Sequence, residues 1–149
     1  MELKNLLVDT KTTWVEFPGL DGFEVELANL SRKELLALRK RCTSNKFNRK
    51  TRAFEEVMDE NKFIKEFSSA TVKGWKGLKM KYLEDLILVD LSKQDVEADL
   101  PYTIENAQIL VENSTEFDNW LNEVVFELEN FRSGSKGEDK EETGTVSKA

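Results

Sequence analysis

The stretch TTWVEFPGLDGFEVEL, from Thr12 to Leu27, places two runs of alternating apolar and polar residues around a turn rich in Pro and Gly. Such alternation is typical of strands that bury one face, and the turn predicts a β-hairpin at about residues 12–27. Phe23, Val25 and Leu27 are expected to share its apolar face. Because an isolated hairpin is only marginally stable in water, other parts of the chain must cover that face.

Helical periodicity supplies the expected cover. Ser31 and Glu34 form a capping-box pattern, which predicts the start of a first helix. The most regular pattern is the last one, in which apolar residues recur at three- and four-residue steps: Phe117, Trp120, Leu121, Val124, Val125, Leu128 and Phe131. Helices are therefore predicted at about residues 31–43, 59–73, 79–88, 103–112 and 114–131.

Two segments fit neither period. Residues 45–58 are predicted as a loop of uncertain shape, and Trp75-Lys76-Gly77-Leu78 as a turn, because glycines on both sides of the indole free the backbone. The expected fold class is α+β: a mainly α-helical, single globular domain over residues 1–131, with a short N-terminal β-hairpin. Residues 132–149, RSGSKGEDKEETGTVSKA, have Val146 as their only sizeable apolar side chain, so a disordered, flexible C-terminal tail is predicted.

The composition excludes several kinds of chemistry. The chain has no His and one Cys, Cys42, so Cys/His zinc sites, His-dependent catalytic triads and haem ligation by His cannot be built. It contains no glycine-rich phosphate-binding loop and no EF-hand motif. Adjacent carboxylates such as Asp59-Glu60 are expected by chance among 29 acidic residues and are interpreted as solvated surface. We therefore expect no enzyme activity, no cofactor and no metal site.

The charge balance argues against nucleic acid as a partner. The 22 basic and 29 acidic residues give a net charge of −7, whose field repels a phosphate backbone. No apolar run reaches the roughly 18 to 20 residues that span a bilayer, and the first residues do not resemble a signal peptide. No membrane association is expected, and the cytoplasm is the predicted location.

Charge is also distributed unevenly along the chain. Residues 32–52 contain nine basic residues and one acidic residue, whereas residues 94–131 contain ten acidic residues and no basic one. The two regions could be neighbours in the fold or simply face water, or each could contact a partner or another copy of the chain. The aromatic residues Trp75 and Trp120 leave a similar choice between partner contact and core packing.

Five strings, in this order, resemble the tail assembly chaperone family of long-tailed (siphovirus-type) bacteriophages. They are FPGLDGFEV (residues 17–25), LSRKEL (30–35), WKGL (75–78), LPYTxENA (100–107) and FDxWLNEV (117–124). Together they cover about residues 12–131, and their order is more specific than any single string.

The resemblance implies a function and its partners. Such proteins bind the tape measure protein, a long helical chain that sets tail length, and keep it soluble while the tail tube assembles around it. They are absent from the mature virion. The implied partners in the host bacterial cytoplasm are the tape measure protein, the tail tube protein through a longer product of ribosomal frameshifting, and further copies of the chain. Residues 132–149 are where such a frameshifted join is expected.

A binding groove for this client is expected along the acidic last helix and the Trp75 turn. A helper of this kind needs apolar grooves for amphipathic helices and net charge to keep the complex dispersed. The candidate contact residues are Trp75, Tyr102, Glu116, Trp120, Glu123 and Glu127.

Two other classes of function are open. An acidic host-inhibitory regulator, or nucleic-acid mimic, would present the carboxylates of residues 95–129 in place of phosphates and bind with steep salt dependence. A hydrolase that uses only carboxylates would need a cleft with at least one acid of strongly shifted pKa, and the sequence indicates none.

Overall fold

The computed structural model describes residues 2–7 and 11–132, which form an α+β fold. The strands are β1 (Thr12–Glu16), β2 (Glu24–Ala28), β3 (Thr43–Asn48), β4 (Ala53–Met58) and β5 (Val72–Lys76). The α-helices are α1 (Arg32–Arg41), α2 (Glu60–Thr71), α3 (Ile104–Asn113) and α4 (Thr115–Val125), and short 3₁₀ helices cover Leu3–Asn5, Met80–Asp85 and Leu128–Phe131. None of the helices in this part of the chain is both long and apolar enough to cross a membrane. Most of the predicted tail, residues 132–149, lies outside the described residues.

The predicted N-terminal hairpin is confirmed. Strands β1 and β2 pair antiparallel from Thr12 opposite Ala28 to Glu16 opposite Glu24. Phe23, Val25 and Leu27 are fully buried, as the alternation requires. The sheet has a third strand, however, because β5 pairs antiparallel with the other edge of β2.

The prediction of a turn at residues 75–78 is therefore wrong for its first half. Trp75 lies in β5 opposite Val25, and the bend comes only at Gly77, whose φ is +73°. The segment is extended because its backbone pairs with the free edge of β2 and its Trp75 side chain is buried there. The sequence WKGL by itself has no period that would predict this strand.

The loop predicted at residues 45–58 is also wrong, because β3 and β4 form a second hairpin there. We call residues 43–58 the arm. Every residue of β4 is exposed, so the arm does not bury one face as an ordinary hairpin does. Its turn is organised by Asn48, whose side-chain oxygen accepts a hydrogen bond from the Lys50 amide at 2.8 Å. Strands exposed on both faces lack the apolar alternation that identifies a half-buried strand.

Two helices are shorter than predicted. The segment predicted as a helix at residues 79–88 forms only the 3₁₀ helix Met80–Asp85. The last helix, predicted over residues 114–131, ends at Val125, whose carbonyl accepts hydrogen bonds from the Leu30 amide at 3.2 Å and the Asn29 side chain at 2.9 Å. These two donors anchor the end of α4 to the segment between β2 and α1. The chain then bends, so Phe131 returns to the core while Leu128 is 60% exposed.

Candidate functional site

Three of the five strings that carry the family resemblance meet in one aromatic cluster. Phe17 stacks on Phe117 with 6.0 Å between ring centroids, and its ring lies 4.9 Å from that of Trp120. Phe23 packs edge-on against Trp75 at 6.3 Å. The connection between β1 and β2, strand β5 and helix α4 are thereby joined through side chains that the strings specify.

A fourth string is attached to the same cluster by hydrogen bonds. The Trp75 indole N–H donates to the Leu100 carbonyl at 2.9 Å, and the Tyr102 ring lies edge-on to the indole at 5.2 Å. The Tyr102 hydroxyl donates to the Val72 carbonyl at 2.8 Å. Desolvation raises the pKa of Tyr102, and the nearby Glu26 carboxylate raises it further, so the phenol stays a protonated donor. This string therefore connects β5 to the start of α3.

The candidate contact residues divide into two groups. Trp75 is only 7% exposed, and Tyr102 and Trp120 are partly buried in the packing just described. A groove walled by the Trp75 indole is therefore not what the structure presents. Glu116, Glu123 and Glu127, in contrast, are all exposed.

Two of the three exposed carboxylates lie along one side of α4, and the third follows the end of the helix. Glu116 and Glu123 are seven residues apart, which places them on the same helix face two turns apart. Past the helix end, Phe126 is 40% and Leu128 60% exposed beside Glu127. We call these five residues the α4 face. Within residues 2–7 and 11–132, none of its three carboxylates forms an ion pair.

Elsewhere the acidic region is partly neutralised within the chain. Glu97 forms ion pairs with Lys79 and Lys81, both at 3.1 Å, and these hydrogen bonds lower its pKa. Asp118, on α4, is half-buried, and desolvation raises its pKa against the opposing hydrogen bond from Asn122. No ion pair in the described part of the chain connects residues 32–52 with residues 94–131, so the basic and acidic regions do not neutralise one another.

The arm is a candidate binding element that the sequence interpretation missed. Phe47 and Phe54 lie opposite each other on one face, with ring centroids 5.5 Å apart, and are 55% and 73% exposed. The signal in the sequence was the pair of Phe residues around the polar turn NRKTR, residues 48–52. Aromatic residues on both sides of a polar turn are typical of a hairpin in which they pair across the strands.

An open groove of about 760 Å³ lies along α2. Its lining is of mixed charge: Asp59, Asn61, Lys62, Lys65, Glu66, Ser69 and Ala70. Glu66 is already paired with Arg41 at 2.9 Å. Over the ranges that the structure describes, no cluster of three or more His, Cys, Asp or Glu side chains is placed to hold a metal ion. The groove therefore offers mixed-charge surface to a partner but no converging set of acids.

No known protein family, curated protein or solved structure matches this chain. The α4 face and the arm are exposed features that can contact a partner.

The single thiol is expected to be unreactive in the folded protein. Cys42 is 3% exposed, and its pKa is raised, first by desolvation and then by the charge of Glu66. Dithionitrobenzoate should label it much more slowly in buffer than in concentrated urea. Because the folded pKa lies above the unfolded one, the stability contributed by the protonated thiol is complete at neutral pH and is lost as pH rises through the folded pKa. Equal labelling rates in buffer and urea would contradict this burial.

Proposed function

We propose that the chain is a phage tail assembly chaperone that binds the tape measure protein through the α4 face and keeps it soluble without catalysing a reaction. The observation that supports this most is the position of the resembling strings. Four of them supply the aromatic cluster and the hydrogen bonds around it, and the fifth, at Ser31, forms the capping box of α1. The resemblance thus involves residues that determine the fold.

The α4 face suits a helical client. Its two exposed apolar side chains, Phe126 and Leu128, can contact the apolar stripe of an amphipathic helix. Glu116, Glu123 and Glu127 are then available for Lys or Arg residues beside that stripe. The α4 face therefore takes the place of the groove that the sequence predicts. It includes the same three carboxylates, but it does not include Trp75, which is buried.

The net charge of the chain supports its proposed effect on the solubility of the client. At −7 the chain adds repulsion to any complex it forms with an apolar client, and such repulsion opposes aggregation. The longer frameshifted product and its contact with the tail tube protein belong to the same proposal. The expected arrangement of the neighbouring DNA is a slippery heptamer near the stop codon, followed by a second reading frame and then by a very long helical reading frame.

The test is a co-purification of the client with charge-reversed variants. We expect Glu116→Lys, Glu123→Lys and Glu127→Lys together to reduce recovery of co-expressed tape measure protein about tenfold or more, the effect of losing roughly 1.4 kcal/mol or more of binding free energy. The matched control reverses three exposed acids elsewhere: Glu60→Lys, Glu84→Lys and Asp85→Lys. Equal recovery with both triple variants would contradict binding by the α4 face.

An acidic inhibitor or nucleic-acid mimic is the second candidate, favoured by the unpaired carboxylates of α4. The two functions respond differently to salt. A mimic loses its basic target steeply as salt rises, because Coulomb attraction dominates such binding. A chaperone that also buries Phe126 and Leu128 retains its client in moderate salt. A salt titration of the complex therefore separates them.

A further inference from the structure

One face of the arm carries four exposed side chains that meet in two cross-strand pairs. Phe47 lies opposite Phe54, and Asn45 lies opposite Glu56. Because side chains two positions apart share a face of a strand, the second pair lies directly beside the first, toward the base of the arm. Among residues 2–7 and 11–132, the Asn45 and Glu56 side chains have no hydrogen-bond or ion-pair partner. We call these four residues the aromatic face.

Three bases lie at the tip of the arm: Arg49, Lys50 and Arg52. All three are exposed, and in the part of the chain that the structure describes none forms an ion pair. Each of the two Arg residues is two positions from a Phe of the aromatic face, no more than roughly 7 Å along the backbone at about 3.4 Å per residue. Lys46 is not among these bases, because it lies on the opposite face, across from Glu55. We call the three residues the basic tip.

Arg52 has a backbone conformation that favours glycine. Its φ is +57°, in the left-handed region, which costs free energy for a residue with a Cβ and which glycine adopts freely. Backbone strain of this kind occurs disproportionately at binding and catalytic sites. It therefore supports a role for the charge that Arg52 places at the tip.

We propose that the arm binds single-stranded nucleic acid. A base stacks on the pair formed by Phe47 and Phe54, and the adjacent phosphates contact the basic tip. Asn45 and Glu56 hydrogen-bond to the edge of the stacked base. Aromatic side chains beside positive charge are the usual means of binding single strands, whose bases are free to stack on a protein, whereas a duplex keeps its bases stacked on one another.

Glu56 distinguishes nucleic acid from an acidic peptide as the partner. The basic tip by itself would suit either, but a carboxylate on the aromatic face repels acidic side chains. A nucleobase is neutral, and a carboxylate accepts a hydrogen bond from its amino group, as from N4 of cytosine. The Asn45 side chain offers both a donor and an acceptor to the same edge. The aromatic face therefore fits a base, and the tip fits its phosphates.

Net charge opposes this partner at long range, and the expectation from sequence was based on that net charge of −7. The arm is formed by two six-residue strands, which makes it roughly 20 Å long at about 3.4 Å per residue. It packs on the rest of the fold mainly beside α1, a helix with five bases and one acid. Since screening at physiological salt limits the reach of a charge to about 8 Å, the nearby bases dominate the potential at the tip.

Fluorescence anisotropy of labelled oligo(dC) with the full chain at neutral pH tests the proposal. We expect saturable binding in which the logarithm of the association constant falls with the logarithm of salt concentration at a slope of about −2, from three phosphate contacts at about −0.7 each. Oligo(rC) distinguishes RNA from DNA as the source of the strand. Absence of binding to both, equal binding of duplex DNA, or equal displacement by polyglutamate would overturn the proposal.

The stacking contact is tested by Phe47→Leu with Phe54→Leu, which removes the rings but keeps an apolar pair. Binding of oligo(dC) should weaken about tenfold or more, the usual effect of losing a stacked base. Trp14→Leu is the matched control, because Trp14 is a 45% exposed aromatic residue elsewhere, with the Lys76 ammonium 4.8 Å from its ring centroid. The control should bind as the wild type does. Equal losses in the two variants would contradict stacking on the arm.

The phosphate contacts are tested by neutralising the basic tip with Arg49→Gln, Lys50→Gln and Arg52→Gln. The salt slope should then approach zero. The matched control neutralises three exposed bases outside the arm: Lys33→Gln, Lys40→Gln and Lys93→Gln. An unchanged slope in the tip variant, or the same reduction in the control, would overturn the assignment of the phosphates to the tip.

The base contact is tested by comparing oligo(dC) with oligo(dT). Wild type should prefer oligo(dC) several-fold, because thymine has a carbonyl where cytosine has the amino group that Glu56 accepts from. Glu56→Gln should abolish the preference, since an amide donates to that carbonyl as readily as it accepts from the amino group. A preference that persists in Glu56→Gln would contradict the base contact.

These results are independent of the proposed function. Variants of the arm leave Glu116, Glu123 and Glu127 in place, so they should still recover tape measure protein. Loss of nucleic-acid binding with unchanged client recovery therefore separates the arm from the α4 face, and an equal loss of both in the arm variants would contradict their separation.

Discussion

Replacing Phe117 by Ala is expected to lower the free energy of unfolding by about 3–5 kcal/mol, the cost of a large buried truncation in a core that relaxes incompletely. Phe117 is fully buried and contacts the rings of Phe17, Phe23 and Trp120. Its removal leaves a cavity where the hairpin meets α4. Urea denaturation followed by tryptophan fluorescence measures the change.

The control for this prediction is a Phe of the same size on the surface. Phe54 is 73% exposed on the arm, so Phe54→Ala should change the free energy of unfolding by less than about 0.5 kcal/mol. Equal losses in the two variants would contradict the aromatic cluster as the centre of the fold.

Replacing Gly77 by Ala is expected to cost about 2–5 kcal/mol, from a strained backbone together with a clash. Gly77 has φ +73°, and an added Cβ would overlap the backbone carbonyl of Gly22. That carbonyl belongs to the turn between β1 and β2 and cannot move without shifting Phe23. The free energy of unfolding from urea denaturation measures the loss.

Gly19 provides the matched control for Gly77. Its φ is +88°, but no heavy atom lies within 4 Å of an added Cβ. Gly19→Ala should therefore cost only the backbone strain, about 1–2 kcal/mol. If Gly77→Ala cost no more than Gly19→Ala, the close approach of the two turns would be contradicted.

Elements that bury one face could be predicted from the sequence. Alternation identified the pairing of β1 with β2, and the capping box at Ser31 is present, with the Glu34 amide donating to the Ser31 hydroxyl at 3.1 Å. The end of α4 could not be predicted, because Asn29 and Leu30, which bind its last carbonyl, are distant in sequence. The apolar spacing continues to Phe131 because the 3₁₀ helix beyond α4 brings that side chain back to the core. The sequence pattern therefore predicts one long helix where the structure has two short ones.

The candidate site was only partly predictable, for a related reason. An aromatic residue in a glycine-flanked segment has the same sequence signature in a core strand as in an exposed turn. The buried position of Trp75 depends on a hydrogen bond from its indole N–H to the Leu100 carbonyl, which lies 25 positions further along the chain. Phe47 and Phe54 were missed because the arm packs too little of its surface to produce a period. Exposed carboxylates such as Glu123 were predictable, since charged side chains are seldom buried without a partner.

The most direct test of the central claim is the aggregation of purified tape measure protein, followed by light scattering as the chain is added. We predict that scattering falls in proportion to the added chain and that the Glu116→Lys, Glu123→Lys, Glu127→Lys variant is much less effective. Scattering that is unchanged at every ratio, or suppressed equally by the wild type and this variant, would contradict the claim that the α4 face binds the client.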